Sequence, residues 1–223
     1  MNYRPDFSNL VAHFTKGTPP LADIEARGTL LGTACEKLIA ILDTGKITAT
    51  KMPWTQRKAV CFTECPFWSL IAHSERYSPY GIGFTKPHLF AASGGPAIYL
   101  RWDLFEKQQC FQHRNNSSWT GFDSNLFSFV TPFSPSYAPE TYKNDYFPTD
   151  GNPVDYTHER EWRVPSDFKF KLDQVQFVML KSYEDMAAFP RYLKNGIGRD
   201  KFILLDVIKK TEGLWPTHLG TAD

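Results

Sequence analysis

The order of its strand-like and helix-like segments is the feature that most constrains the fold of this chain. Short apolar segments of high β propensity are typical of strands, and they occur at residues 8–15, 59–63, 81–84, 97–100, 159–164, 175–180 and 202–207. Apolar residues from Leu30 to Leu42 recur at helical spacing before a stop at Gly45. The other predicted helices follow Pro66 and cover residues 103–111 and 183–194. Because this order lacks the regular strand–helix alternation of a doubly wound parallel sheet, the sequence predicts an α+β fold.

Length and charge narrow the protein classes that fit this chain. A single hydrophobic core can absorb 223 residues, so we expect one domain over residues 1–223. The formal net charge of +1 creates no global basic field, so a nucleic-acid partner would need a local basic patch. No apolar run approaches the roughly 18–20 residues that span a bilayer, and the first residues do not resemble a signal peptide. We therefore expect a cytoplasmic protein without a membrane partner.

The cysteines and glycines do not predict a metal or a dinucleotide-binding loop. The four cysteines fit a reducing compartment as small, mostly buried thiols. Cys61, Cys65 and His73 could form part of a zinc site, but their spacing lacks a clear fourth ligand, so we predict no metal. Gly81 and Gly83 lack the spacing and the following helix of a dinucleotide fingerprint, which favours turns or close strand packing instead.

Two carboxylates near the C-terminal third form the strongest candidate for chemistry. If residues 159–164 are a strand, Glu159, Glu161 and Arg163 share one face, because side chains alternate along a strand. Two neighbouring carboxylates repel each other unless a cation or a reaction uses them. They could supply general acid–base catalysis or stabilise a developing cation. The alternative interpretation is a surface strand with a ladder of glutamate and arginine side chains.

Several motifs in a fixed order give the chain a family resemblance. These motifs are Val60–Cys61–Phe62–Thr63–Glu64, Tyr80–Gly81–Ile82–Gly83–Phe84, Gly94–Gly95–Pro96 and Glu159–Arg160–Glu161–Trp162–Arg163–Val164–Pro165. In this order they resemble AbiGi-type abortive-infection proteins. The opening His13–Phe14–Thr15, followed by a helix that ends at Gly45, is similar to DarT-type ADP-ribosyltransferases. The resemblance covers about residues 10–207.

The resemblance implies an ADP-ribosyltransferase-like fold, in which a split mixed β-sheet flanked by helices holds NAD as a substrate. His13 would contact the adenosine-side ribose, with Phe14 and Thr15 beside it in the same motif. Arg57 would hold the pyrophosphate, because a guanidinium fork matches phosphate oxygens, although the adjacent lysine could take that role. Tyr80, or another aromatic ring near it, would stack on the nicotinamide ring.

The catalytic expectation concerns the two carboxylates. Glu161 would hydrogen-bond the nicotinamide ribose and stabilise the oxocarbenium-like state, and Glu159 would orient or deprotonate the acceptor. The resemblance thus implies an NAD-dependent mono-ADP-ribosyltransferase in phage defence or a toxin–antitoxin system, with a nucleic acid or a protein as its acceptor. Residues 114–157 would select that acceptor. Two alternatives stay open: a non-catalytic antitoxin on the same fold that binds the toxin of a two-gene system, and an NAD glycohydrolase.

Overall fold

A computed structural model of the chain describes residues 8–17, 33–52, 54–55, 57–64, 70–104, 124–136, 155 and 157–214. These residues divide into two compact units. The first unit contains the described residues within Met1–Lys46, Cys65–Thr85 and Lys169–Asp223, and the second contains those within Ile47–Glu64 and Lys86–Phe168. Among the described helices, none is long and apolar enough to cross a membrane.

The secondary structure mixes short strands with short helices. The strands are β1 (Leu10–Phe14), β2 (Lys46–Ile47), β3 (Thr50–Lys51), β4 (Lys58–Glu64), β5 (Gly81–Thr85), β6 (Gly95–Pro96), β7 (Ile98–Arg101), β8 (Val130–Phe133), β9 (Glu161–Val164), β10 (Phe168–Lys169), β11 (Phe177–Leu180) and β12 (Phe202–Leu204). The α-helices are α1 (Ala34–Thr44), α2 (Leu70–Arg76), α3 (Lys86–Ala91), α4 (Tyr183–Ala188), α5 (Arg191–Ile197) and α6 (Leu205–Leu214). Single 3-10 turns cover Ser124–Ser128, Thr157–Glu159, Leu172–Gln174 and Arg199–Lys201.

The first unit is built on a mixed sheet in the order β12-β11-β5-β1. The strands β11 and β12 run parallel, whereas β5 is antiparallel to both β11 and β1. Gly83 lies opposite Phe177 in this sheet, and a Cβ atom at Gly83 would overlap the phenyl ring. The predicted close strand packing at this glycine is therefore confirmed, since only a residue without a side chain leaves room for the ring.

Helix α1 is fixed at both ends by its own sequence. The Thr33 side chain accepts a hydrogen bond from the Glu36 backbone N–H, and the Glu36 side chain accepts one from the Thr33 N–H. Such a capping box satisfies backbone donors that the first turn leaves without helical partners. At the other end Gly45 adopts a left-handed φ of 57°, and a Cβ there would lie 2.6 Å from the Phe170 carbonyl oxygen. The predicted helix stop at Gly45 is confirmed.

The second unit contains the sheet segment that carries the Glu161 motif. Strand β9 lies between β4 and β6 and is antiparallel to both, with Phe62 opposite Trp162 and Thr63 opposite Glu161. A separate pair, β7 and β8, runs parallel. The Phe62 ring meets Phe168 edge to face at 5.3 Å, and both side chains are fully buried. Together the two units confirm a mixed α+β fold; the ADP-ribosyltransferase-like topology stays a prediction.

Three predicted boundaries were wrong, and two of them have a local physical reason. The strand expected at 159–164 begins at Glu161, because residues Thr157–Glu159 form a 3-10 turn and Arg160 has a φ of +46°. The strand expected at 202–207 ends at Leu204, where α6 begins. The helix expected at 183–194 is interrupted by Pro190, since the residue before a proline avoids the helical region.

Two further predictions fall partly outside the described residues. Of the helix expected at 103–111, only residues 103 and 104 are described, and both are helical. The helix expected to open at Pro66 begins outside the described residues, and its later part corresponds to α2. Most of residues 114–157 also lie outside the described residues.

Candidate functional site

The residues predicted to bind the cofactor divide between the two units. His13 and Phe14 end β1, Thr15 follows them, and Tyr80 directly precedes β5, all within the first unit. Phe14 pairs with Gly81, and the Thr15 backbone N–H donates to the Tyr80 carbonyl oxygen at 3.0 Å. The structure therefore brings these four predicted residues together at one end of the β1–β5 pair.

The side chains of Phe14 and Thr15 both contact other residues of the first unit. The centre of the Phe14 ring lies 5.9 Å from the centre of the Tyr77 ring and 6.3 Å from that of the His73 ring, and the Lys16 ammonium lies 4.8 Å from the Tyr77 ring centre. Thr15 is buried, and its hydroxyl donates to the Ala34 carbonyl oxygen at 2.7 Å. The Thr15 hydroxyl thus joins the end of β1 to the first turn of α1.

The phenol of Tyr80 is held by a carboxylate. Its hydroxyl donates to Asp185 Oδ2 at 3.1 Å, and the same oxygen accepts the Ser182 backbone N–H. Burial and then the Asp185 carboxylate raise the pKa of Tyr80 to about 12, so the phenol keeps its proton at neutral pH. Burial, followed by Asp185 and Glu36, also raises the pKa of the Cys35 thiol. Tyr80 therefore anchors the start of α4; stacking on nicotinamide stays a prediction.

The residue predicted to be catalytic, Glu161, forms a buried ion pair in the second unit. Arg163 is fully buried, and its Nη2 donates to Glu161 Oε2 at 2.6 Å. The same guanidinium donates to the carbonyl oxygens of Ser128 at 3.1 Å and Val130 at 3.0 Å, and to the Thr131 hydroxyl. A single guanidinium thus connects β9 to the 3-10 turn and to the strand β8.

Glu161 keeps the Arg163 guanidinium charged, and together with burial it keeps the nearby Cys61 thiol and Tyr99 phenol neutral. Burial lowers the pKa of Arg163, but the hydrogen bond and the charge of Glu161 outweigh it and leave the pKa raised. Burial and then Glu161 raise the pKa of Cys61 well above its usual value. Burial and then Glu161 also raise the pKa of Tyr99 to about 12. The Cys61 thiol donates to Met52 Sδ at 3.6 Å and is poorly suited to act as a nucleophile.

The opposite face of β4 and β9 carries a second group of charges that the sequence did not predict. Lys86 and Glu64 are both buried and form an ion pair of 2.8 Å. The Lys86 ammonium lies 5.3 Å from the Trp162 ring centre, and Arg160 Nη1 lies 3.7 Å from Glu64 Oε1. Glu64 ends one of the motifs noted above, but neither its burial nor its partners can be read from that motif.

Neither Glu159 nor Arg57 lies on β9, the strand that carries Glu161 and Arg163. Glu159 lies in the 3-10 turn before β9, so the predicted arrangement of Glu159 and Glu161 on one strand face was wrong. The left-handed conformation of Arg160 breaks the alternation on which that arrangement depended. Arg57 is exposed just before β4, where its carbonyl oxygen accepts the Met52 N–H at 2.7 Å, and the next residue, Lys58, is also exposed.

The described residues offer no cluster for a metal ion. Within the described ranges, no three His, Cys, Asp or Glu residues lie close enough to hold a metal together. Cys65, which the sequence placed in a candidate set with Cys61 and His73, is outside the described residues. Cys61 is instead a thiol in contact with a thioether.

Comparison with models of known protein families gives a match for this chain. A family model described as "Putative abortive phage resistance protein AbiGi, antitoxin" matches residues 31–195, which is more than half of the chain. No curated protein and no solved structure gives a significant match. The matched range includes Tyr80, Glu161 and Arg163, whereas it begins after His13.

Proposed function

This chain belongs to the AbiGi family, and we propose that it is an antitoxin that neutralises a protein toxin by binding it during abortive phage resistance. The observation that carries the proposal is the buried ion pair between Glu161 and Arg163. Through this pair, two charged residues of the motif at 159–165 stabilise the fold, so the motif does not require a catalytic role. The family description supplies the biological setting, and it favours a binding role over catalysis.

The environment of Glu161 explains why a non-catalytic protein needs this carboxylate. A fully buried guanidinium is costly unless an anion and further acceptors surround it. Glu161 is the anion, while the neutral acceptors come from the segment containing Ser128, Val130 and Thr131. Removal of one partner of a buried pair typically costs about 3–5 kcal/mol. Selection for folding alone is therefore sufficient to maintain Glu161 and Arg163.

Charge and surface composition suit a protein partner. The net charge of +1 provides no long-range attraction for a polyanion. Large apolar side chains on the second unit are exposed, with Phe90 exposed to 74% and Ile98 and Leu104 to a lesser degree. Aromatic residues are enriched in protein–protein interfaces. These features support a protein toxin as the ligand.

A co-expression experiment tests the antitoxin proposal. The chain is expressed alone, and also together with the product of the gene encoded beside it, which is placed under a separate inducible promoter. We expect normal growth with the chain alone, arrest with the neighbouring product alone, and restored growth with both. Co-purification of the two proteins should accompany rescue. Growth arrest by the chain alone, or no rescue despite soluble expression, would contradict the proposal.

The ADP-ribosyltransferase expectation is the rival proposal. One observation supports it: the hydrogen bond from Arg163 fixes the orientation of the Glu161 carboxylate, as a site prepared for an oxocarbenium-like state requires. The assay incubates the purified chain with labelled NAD and a cell extract. Transfer of label to a macromolecule that is lost in a folded Glu161→Gln variant would establish the enzyme and refute a purely binding role. Release of free ADP-ribose without labelled polymer would indicate NAD hydrolysis.

A further inference from the structure

One hairpin of the second unit, formed by β3 and β4, concentrates positive charge. Residues 47–63 contain three basic residues and no carboxylate. Because the whole chain has a formal net charge of +1, the rest of it carries a formal net charge of −2. A local asymmetry of this kind indicates a binding surface for an anion, which the overall charge of the chain conceals.

The pairing of β3 with β4 brings these charges together. Lys51 lies directly opposite Lys58 in the antiparallel register, so the two side chains leave the same face of the hairpin with their Cβ atoms about 4.5–5.5 Å apart. The Met52 N–H donates to the Arg57 carbonyl oxygen at 2.7 Å, which places Arg57 beside this pair at the end of the ladder. Lys51, Arg57 and Lys58 are all exposed. Like charges directly opposite each other destabilise a sheet, so folding alone does not favour this arrangement.

The hairpin is packed against the second unit at both ends. Trp54, which lies between the two strands in sequence, packs against the buried Trp102 and Val130. Further along β4, Val60 and Phe62 are buried in the interior. The packed hairpin therefore presents its charges in a defined arrangement, and a ligand would not have to order it during binding.

We propose that this hairpin is a binding surface for the phosphate backbone of a nucleic acid, with Lys51, Arg57 and Lys58 as its phosphate contacts. This inference goes beyond the proposed antitoxin function and does not depend on it. Three adjacent cations require a ligand whose negative charges repeat closely, and a nucleic-acid duplex carries one charge per about 1.7 Å of its axis. A two-stranded β-ribbon is also one of the elements that the major groove of DNA admits. The near-zero net charge of the chain restricts the attraction to the hairpin, so binding should depend strongly on salt.

Fluorescence anisotropy with labelled probes measures binding by the full chain. The probes are a mixed-sequence DNA duplex of about two helical turns and single strands of DNA and RNA of the same length. The tightest-bound probe identifies the class of nucleic acid. Unlabelled NAD is the competitor, because its pyrophosphate offers the same chemical group without a polymer.

Three double variants are compared with the wild type. Lys51→Gln with Lys58→Gln removes the opposed charges, whereas Lys51→Arg with Lys58→Arg keeps them. The matched control is Lys181→Gln with Lys210→Gln, since both lysines are exposed on the first unit. The control and the first variant both lower the formal net charge from +1 to −1. Thermal melting measures the stability of each protein.

The salt dependence of binding gives the expected magnitudes. Each phosphate contact contributes about −0.9 to the slope of log K against log salt for a duplex, so three contacts predict a slope of about −2.7. An increase from about 50 to 200 mM salt should then weaken duplex binding by the wild type roughly 40-fold, but binding by the first variant only about 3.5-fold. The arginine variant and the control should keep the wild-type slope. The first variant should melt at or above the wild-type temperature, because the repulsion between the opposed lysines is removed.

Four results would overturn the inference. The first is the absence of wild-type binding to every polymer at the lowest salt concentration, and the second is an unchanged slope in the first variant. The third is an equal loss in the control, which would trace the attraction to net charge instead of the hairpin. The fourth is full displacement of the polymer by an equal concentration of NAD, which would assign the cations to a dinucleotide.

A further variant covers the case in which the first variant does not fold. Arg57→Gln then replaces it, with an expected slope of about −1.8, and an unchanged slope would again overturn the inference. If the wild type binds no nucleic acid but the first variant no longer rescues growth in co-expression, the hairpin belongs to the toxin interface. The proposed antitoxin function is tested separately by the rescue of growth with the wild type.

Discussion

Replacement of Glu161 by glutamine should destabilise the second unit strongly, because it leaves a charged guanidinium in the interior without its anion. Arg163 is fully buried, and its other acceptors, the Ser128 and Val130 carbonyls and the Thr131 hydroxyl, are neutral. Loss of one member of such a pair costs about 3–5 kcal/mol. Since the free energy of unfolding of a domain is about 5–15 kcal/mol in total, the variant should lose roughly a fifth of its stability or more.

Urea denaturation followed by circular dichroism measures this effect. The matched control is Glu75→Gln, which breaks the exposed pair with Lys209, where the N–O distance is also short at 2.9 Å. An exposed pair contributes about 0–1 kcal/mol, so this control should unfold close to the wild type. The difference in stability between Glu161→Gln and Glu75→Gln reports the effect of burial, because both substitutions remove one negative charge from an ion pair of similar length.

A double variant tests whether the charge itself is the cause. Glu161→Leu combined with Arg163→Met removes both charges and roughly preserves the buried volume. It should recover much of the stability that Glu161→Gln loses, since a hydrophobic replacement of a buried pair is often neutral or stabilising. Equal denaturation midpoints for Glu161→Gln and the wild type would refute the reasoning. They would show that the guanidinium does not depend on Glu161, and the structural explanation of the motif would fail.

The remaining predictions concern the first unit and the cysteine of β4. Tyr80→Phe should lower the free energy of unfolding by about 1 kcal/mol, measured by urea denaturation, because the hydrogen bond to Asp185 is lost. The pKa of Tyr80 is raised from 10.0 to about 12, so the folded state holds this proton more tightly. The raised pKa therefore stabilises the folded state at every pH below 10, and this stabilisation should disappear as the pH rises towards 12. The free energy of unfolding of Tyr80→Phe should fall less than that of the wild type over this pH range. Thr33→Ala should lower the free energy of unfolding by about 1 kcal/mol, because the hydrogen bond that caps α1 is lost, and the melting temperature should fall accordingly. An unchanged melting temperature would contradict the capping argument. Cys61 should react with iodoacetamide at pH 8 far more slowly in the folded chain than in urea, as measured by mass spectrometry, because its thiol pKa is raised; equal rates would contradict this.

Much of the fold could be predicted because local signals and burial agree there. The apolar runs at 59–63 and 81–84 fall within β4 and β5, and Gly45 ends α1 with the expected left-handed φ. The break at Pro190 could also have been predicted, since proline disfavours a helical residue before it. These features depend on neighbouring residues alone.

The candidate site was harder to predict because its features depend on tertiary contacts. The spacing of Glu161 and Arg163 was visible, but a fully buried arginine is rare, so the sequence favoured an exposed ladder or a catalytic carboxylate. The acceptors around Arg163 come from residues more than thirty positions earlier. The start of β9 was misplaced because no glycine or asparagine marks the left-handed turn at Arg160.

The packing of Gly83 against Phe177 has a consequence for the evolution of the family. A side chain at position 83 would occupy the volume that the phenyl ring fills, so neither position can change alone without a clash or a cavity. The two positions should therefore covary among relatives: a larger residue at the first should accompany a smaller residue at the second. Because the pair links β5 to β11, this covariation would identify the same strand pairing in relatives whose sequences have otherwise diverged.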